Sequence, residues 1–290
     1  MNQTRSRNFI LHAKSPQFYW EGTGQLSIKT FSNGKAYYKT NRGFFAVEND
    51  RYLLLNKGAY TINIDQAVSV ESFCIFFKDD FANNIFQALK KSNNQLLTDP
   101  FKNADSIEFI DKTYLKNDKL SSLLNIFKQN LPFLDKNTIG YEEYFHQIMQ
   151  VILNEHFKVN KEIELLHAVR RSTREELYRR ICIAHDYIRS CFAKQIKLDD
   201  IAKISCLSPN HLLRSYTQIY GKTPHQHITY FRINKAKELL RDERNTMTDI
   251  TFEIGLQNPV SFSKLFKQYV GISPQEFRKK VILDKKHLQY

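Results

Sequence analysis

Between Trp20 and Asp80, apolar and polar residues alternate in short stretches separated by turn sequences. The breaks fall at Gly22-Thr23-Gly24, Asn33-Gly34, Asn41-Arg42-Gly43, Glu48-Asn49-Asp50 and Lys57-Gly58. Residues 25–31, 36–40, 44–47, 52–55, 60–64 and 69–77 lie between or after them and are rich in β-branched and aromatic side chains. Leu26/Ile28 and Tyr60/Ile62/Ile64 keep the period of two expected of half-buried strands. Asn33-Gly34 suits a tight hairpin because both residues tolerate positive φ. Short strands at this spacing predict a small β-barrel or jelly roll. After Phe81 the period changes. Leu120, Leu123, Leu124 and Phe127, then Tyr141, Tyr144, Phe145, Ile148, Met149 and Ile152, recur at helical spacing and predict two amphipathic helices. Their apolar stripes suit either packing onto their own barrel or a dimer interface.

The C-terminal part contains the same unit twice. Asp200-Ile201 and Cys206-Leu207 recur 49 residues later as Asp249-Ile250 and Gly255-Leu256. Leu212, Tyr216, Gly221, Pro224 and Ile228 recur 50 later as Phe262, Phe266, Gly271, Pro274 and Arg278. Two copies are too few for a solenoid, so this is a duplicated supersecondary unit. Each copy predicts a short helix, a tight turn and a second helix. In the first, Asp199 and Asp200 sit in the opening turn of residues 198–205, Ser208 caps the next helix, Pro209 takes its first position and Gly221 ends it. Leu212, Tyr216 and Ile219 form the inward stripe. In the second, residues 248–254 and 259–270 are the helices, with Phe262, Phe266 and Tyr269 or Val270 inward. Thr223-Pro224-His225-Gln226 and Ser273-Pro274-Gln275-Glu276 each open a further helix with a capping box. The helix from Pro224 to about Arg241 has Ile228, Phe231, Ala236, Leu239 and Leu240 as its core face. About 18 helical residues span ~27 Å. Paired helix-turn-helix units on DNA sit ~34 Å apart, so this rod can hold two such units at successive major grooves.

Charge agrees with that geometry. The 290-residue chain carries 43 Lys+Arg against 30 Asp+Glu, a net of +13. Residues 1–172 hold a net of +4 and residues 173–290 a net of +9, which points to a polyanion partner for the C-terminal part. The run Phe73-Cys74-Ile75-Phe76-Phe77 is far below the ~20 residues of a membrane helix, and the N-terminal segment, with Arg5 and Arg7, lacks the apolar core of a secretory signal. Cys74, Cys182, Cys191 and Cys206 form neither a CxxC pair nor a disulfide scaffold, giving the expectation of a reduced, cytoplasmic protein without membrane association.

Enzymatic chemistry finds little support. Residues 13–145 contain no histidine, so a barrel metal site built on imidazole is not expected. Asp79, Asp80 and Glu48 read as solvated turn residues. His225 and His227 diverge by about 200° on a helix and cannot share an ion, so they read as surface or packing residues. Cys182 and His185 supply two ligands, too few for zinc. Cys191 and Cys206 read as small buried residues.

Leu198-x-x-Ile201-Ala202, Leu207-Ser208-Pro209-x-His211-Leu212-x-Arg214-x-Tyr216 and Gly221-x-Thr223-Pro224 resemble the first half of the AraC/XylS transcription-regulator signature. Ile250-x-x-x-Ile254-Gly255-Leu256, Phe262-x-x-x-Phe266-Lys267 and Gly271-x-Ser273-Pro274-x-x-Phe277-Arg278 resemble the second half. The usual Phe and Tyr of that family are here Leu256 and Phe277. The N-terminal Tyr52-Leu53-Leu54-Leu55-Asn56 and Tyr60-Thr61-Ile62 are similar to the cupin-like sensor or dimerisation barrel of many members, a looser likeness.

The resemblance implies an α+β chain: residues 1–165 a cupin-like β-barrel with C-terminal helices, 166–172 a linker, and 173–290 an all-α DNA-binding domain. That domain has helix-turn-helix one at about 198–221, a linker helix at about 224–241 and helix-turn-helix two at about 248–271. It also implies base contacts at Asn210, Leu213 and Arg214, beside which the outward face presents Thr217. Arg suits guanine, Asn adenine and Leu a thymine methyl. The second outward face is Pro259, Val260, Ser261, Ser263, Lys264 and Lys267, with less bidentate capacity, so it is expected to read sequence less sharply. The helix N-termini at Ser208 and Pro259 offer N–H groups to phosphate.

The expected function is a non-enzymatic, cytoplasmic transcription regulator, an activator, bound to promoter DNA and to RNA polymerase. Control by a small-molecule effector or by homodimerisation through the barrel is expected; no cofactor or metal is expected. An architectural DNA-binding protein is the alternative, and a DNA-tethered enzyme a weaker one.

Overall fold

The structure, a computed structural model, describes residues 7–90, 107–136 and 138–287. Arg5 and the first half of the segment read for a secretory signal lie outside them. Two compact units divide between Asp186 and Tyr187.

The first unit is built on a nearly closed, barrel-like sheet. Its strands are β1 (Phe9–Gly24), β2 (Ser27–Ser32), β3 (Ala36–Thr40), β4 (Gly43–Val47), β5 (Arg51–Leu55), β6 (Gly58–Phe76) and β7 (Lys112–Leu115). They run in the order β4-β3-β6-β2-β5-β7, with β1 also paired to β6. β6 is the spine. One edge takes β1 along nearly its whole length, and the other takes β3 at Tyr60–Asn63 and β2 at Glu71–Phe76. The sequence expectation of two strands at 60–64 and 69–77 is therefore corrected to one. Its polar middle stays extended because β1 pairs across it, with an irregularity between Ser15 and Gln17. β1 was not expected; the sequence reading began at Trp20 and took Gly22-Thr23-Gly24 as a turn, whereas they end this strand. Much of its length is exposed, Leu11, Phe18 and Tyr19 included, so its apolar residues do not alternate cleanly.

Phe31, Tyr38, Phe45, Val47, Leu53, Leu55, Tyr60 and Phe76 fill the barrel. Lys29 is buried among them at 1% exposure. Its Nζ donates to Tyr60 Oη at 3.0 Å and lies 3.7 Å from the centre of the Phe76 ring, and burial lowers its pKa to about 8.

Outside the sheet lie α1 (Phe81–Lys90), α2 (Asp118–Asn130) and α3 (Ile139–Glu164). Phe127 of α2 stacks on Tyr144 and meets Phe73 of β6 edge-on, with Tyr141 and Phe145 around it. Leu120, Leu124, Phe127, Phe145, Ile148 and Ile152 are all buried within this unit, so the two stripes pack onto their own barrel. Residues 166–170 lead from α3 into α4 (Arg171–Cys191). Most of α4, through Asp186, belongs to the barrel unit: Lys112 Nζ donates to Tyr178 Oη at 2.5 Å, and the Asp186 carboxylate accepts from the Thr113 hydroxyl at 2.5 Å. The division between units thus falls inside α4 rather than at the 166–172 stretch.

The second unit continues with α5 (Leu198–Ile204), α6 (Pro209–Tyr220), α7 (Pro224–Leu239), α8 (Met247–Glu253), α9 (Pro259–Val270) and α10 (Pro274–His287). The duplication is visible in detail. Ser208 caps α6 and Asn258 caps α9, each followed by Pro at the first position, and Gly221 and Gly271 end both helices in the left-handed region. The capping boxes at Thr223 and Ser273 are both formed. α8 starts one residue before the expected 248, because Thr246 and Asp249 make a further box. The α5–α6 and α8–α9 turns both need a positive φ, supplied by Cys206 at 53° and Gly255 at 79°. Cys206 is exposed and Cys191 half-buried, which corrects the expectation that both are buried: a side chain at this turn position points to solvent.

Gly255 has no such freedom. A Cβ there would lie 2.1 Å from the Ala193 carbonyl oxygen, whereas Gly221 and Gly271 have open space. Gly255→Ala is expected to destabilise the second unit by at least twice the ~1 kcal/mol that backbone strain alone costs in Gly271→Ala. Denaturant unfolding of the two variants, followed by a probe in the second unit, measures the ratio.

Candidate nucleic-acid interface

Each second helix is fixed by what it buries. On α6, Leu212 and Tyr216 are fully buried, as are Phe262 and Phe266 on α9. Tyr216 Oη hydrogen-bonds with His227 Nδ1 of α7 at 2.8 Å, and Tyr220, Tyr230 and Phe231 surround the imidazole. Burial, with the nearby Lys222 charge, lowers the His227 pKa to about 4, so the ring is a neutral packing element at neutral pH. His225, two residues earlier, is exposed. Behind α9 the packing is wholly apolar: Ile233, Ala236 and Leu240 of α7 with its cap, and Ile250 and Ile254 of the α8 segment. Arg232 of α7 donates to the Phe192 and Lys194 carbonyls at 2.8 and 3.1 Å, and Arg278 of α10 donates to the Asn245 carbonyl at 2.7 Å. The sequence reading assigned neither arginine a role, since carbonyl clamps of this kind leave no motif.

With those stripes inward, the opposite faces are presented to solvent. On α6, Asn210, Leu213 and Arg214 are exposed, Leu213 at 38%. Thr217 is half-buried and its Oγ1 donates to the Leu213 carbonyl at 2.7 Å, so its hydroxyl is engaged with its own helix. On α9, Val260, Ser261, Ser263, Lys264 and Lys267 are exposed and Pro259 is half-buried. The shared caps put the two helices in register at an offset of 50, pairing Asn210 with Val260, Leu213 with Ser263, Arg214 with Lys264 and Thr217 with Lys267. Each set spans two turns of one helix face. Of the inward alternatives on α9, Val270 is half-buried and Tyr269 exposed.

Arg214, Lys264 and Lys267 take part in no hydrogen bond or salt bridge among the described residues, which leaves their donors available to an outside partner. The helix N-termini are partly spent: Ser208 Oγ accepts from the His211 N–H at 3.4 Å, and Asn258 Oδ1 from the Val260 N–H at 2.8 Å. The sequence reading named no cap for α9, a role that Asn258 fills. Among the described residues no group of three or more His, Cys, Asp or Glu could hold a metal ion, and no helix is long and apolar enough to cross a membrane.

Residues 201–280 match the helix-turn-helix domain family. The chain is similar to the lactose operon transcription activator of Staphylococcus xylosus, 24% identical over 169 residues that cover 58% of this chain and 56% of that protein. It is also similar to the melibiose operon regulatory protein of Escherichia coli (strain K12), 30% identical over 93 residues covering 32% of this chain and 31% of that one. Matches thus span about half or less of these relatives. Among solved structures, the C-terminal domain of AraT, a response regulator from Geobacillus stearothermophilus, aligns at 28% identity and a TM-score of 0.34 over 35% of this chain and 84% of that one. Residues 201–280, within the second unit, thus carry a helix-turn-helix domain.

Replacing Arg214 is expected to relax base preference at one position by a discrimination of ~1–3 kcal/mol, whereas Lys264→Ala weakens all sequences alike. Binding of each variant to a set of single-base-substituted sites distinguishes them. Greater relaxation by Lys264→Ala reverses the roles assigned to the two helices.

Proposed function

We propose that the protein is a sequence-specific DNA-binding regulator of transcription that places α6 and α9 in successive major grooves. The carrying observation is the pair of 12-residue helices, capped alike, that present equivalent exposed positions while burying equivalent stripes. Arg214 grips guanine and Asn210 adenine, Leu213 meets a thymine methyl, and Thr217 flanks them. Lys264 and Lys267 bind phosphate, with Pro259, Val260, Ser261 and Ser263 against the groove wall. The net +9 of residues 173–290 supports attraction to a polyanion.

The regulation is activation, with RNA polymerase as a partner. The name of the Staphylococcus xylosus relative, a transcription activator, supports that sign. The first unit, through Asp186, serves as the sensing or dimerisation part, and the second, from Tyr187 onward, as the DNA-binding part. The protein works as a cytoplasmic homodimer and performs no catalysis of its own.

Selection of bound fragments from a random DNA pool, at physiological salt and with the full chain, tests the reading. Enrichment of a consensus with two short elements is expected. Salt-sensitive binding without any enriched sequence favours the architectural alternative.

A further inference from the structure

A cavity of about 240 Å³ lies in the first unit between the sheet and α2. Lys116, Lys128, Glu71, Asn49, Ser121 and Asn125 contribute its polar lining. It lies on the outer face of the sheet, because Glu71 and Phe73 alternate along β6 with Val70 and Cys74, which point into the barrel. It is smaller than the ~300–1,000 Å³ of drug-sized sites, which limits an occupant to a few carbon atoms.

The charges around it do not balance. Glu71 is the carboxylate in the lining, and it is already shared: His12 Nε2 lies 2.9 Å away, Lys14 Nζ 3.5 Å and Lys128 Nζ 2.6 Å, while the Ser32 hydroxyl donates at 3.1 Å. These partners, Lys128 and His12 first, hold the Glu71 pKa at about 2, so it is ionised and heavily matched. Lys116 is half-buried and forms no salt bridge among the described residues; its Nζ donates to the Asn49 carbonyl at 2.6 Å. Burial lowers its pKa, an effect that Asp50 opposes and Lys128 reinforces. Two ammonium groups therefore share one small polar cavity with a surplus of positive charge. On α2, Ser121 and Asn125 stand one turn apart, with Lys128 a further turn along the same face, and neither side chain makes a hydrogen bond among the described residues. Hydroxyl and amide groups so placed can donate to and accept from a hydroxylated ligand.

We propose that this cavity binds a small hydroxylated anion, its phosphate or carboxylate held by Lys116 and Lys128 and its hydroxyls read by Ser121 and Asn125. An ammonium–anion hydrogen bond is charge-assisted; at Lys116 it supplies a counter-charge that no salt bridge provides, and Lys128 is shared between the ligand and Glu71. The occupant bridges α2 to the sheet and to the turn before β5, and so tightens that seam. The site locates the sensing role proposed above, yet it rests on the cavity alone.

Calorimetric titration of the full chain without DNA tests it, using glycerol 3-phosphate as the phosphate probe and malate as the carboxylate probe. Saturable one-to-one binding of one of them is expected, weakened at least tenfold in Lys116→Gln and at least threefold in Ser121→Ala. Lys235→Gln, which removes a lysine paired with Glu238, is expected to bind as the wild type does. Unchanged melting of both cavity variants in the absence of ligand shows that they are folded. Failure of both probes to bind saturably overturns the proposal. So does undiminished binding in both cavity variants, which puts the anion elsewhere on this basic chain. Because no DNA is present, the result is independent of whether the chain regulates transcription.

Discussion

Two buried side chains one helical turn apart decide what each recognition helix can offer. Leu212 and Tyr216 on α6, and Phe262 and Phe266 on α9, are fully enclosed. A helix pinned at i and i+4 cannot rotate about its axis, so the residues about half a turn away must face solvent. Burying an aromatic side chain of this size is worth ~1.5–3 kcal/mol. That is enough to hold the outward stripe steady while its own residues contribute nothing to packing. Arg214 and Lys264 stay exposed to solvent because Tyr216 and Phe266 are not free to move.

The duplication has preserved this constraint together with the caps, first-position prolines and terminal glycines, while the packing behind each helix and its outward face have drifted. The second copy uses an apolar cluster to hold α9, whereas the first uses a hydroxyl–imidazole contact inside an aromatic cage. The turn before the second helix keeps its positive φ in both copies, with Gly255 in one and the less tolerant Cys206 in the other. Gly255 is required because the Ala193 backbone presses on that turn. The outward sets have diverged furthest, from Asn, Leu, Arg and Thr to Val, Ser, Lys and Lys. Two scaffolds of one shape thus carry unlike chemistry on their outward faces.

The second unit was legible in the sequence almost residue by residue, since caps, Pro at the first helical position and terminal Gly are local signals. The strands from 36 to 55 were legible for the same reason, being bounded by turn residues. What was lost depended on partners distant in the chain. β7 is four residues long and exists through pairing with β5. The middle of β6 looks like a break but is held extended by β1. His227 and Cys206 could not be placed because burial depends on which neighbours arrive. The cavity was wholly hidden: Glu71, Lys116 and Lys128 come from three separate elements, and nothing in their spacing brings them together.

The central claim is that α7 and its flanking turns hold two recognition helices at a fixed separation of about one DNA turn. The most direct measurement is the affinity of the full chain for a selected two-element site and for the same site with about half a helical turn inserted between the elements. The insertion rotates the second element to the opposite face of the duplex, and the account predicts at least a tenfold loss. Equal affinity for both sites would contradict it, because a rigid pair of helices cannot follow an element around the helix.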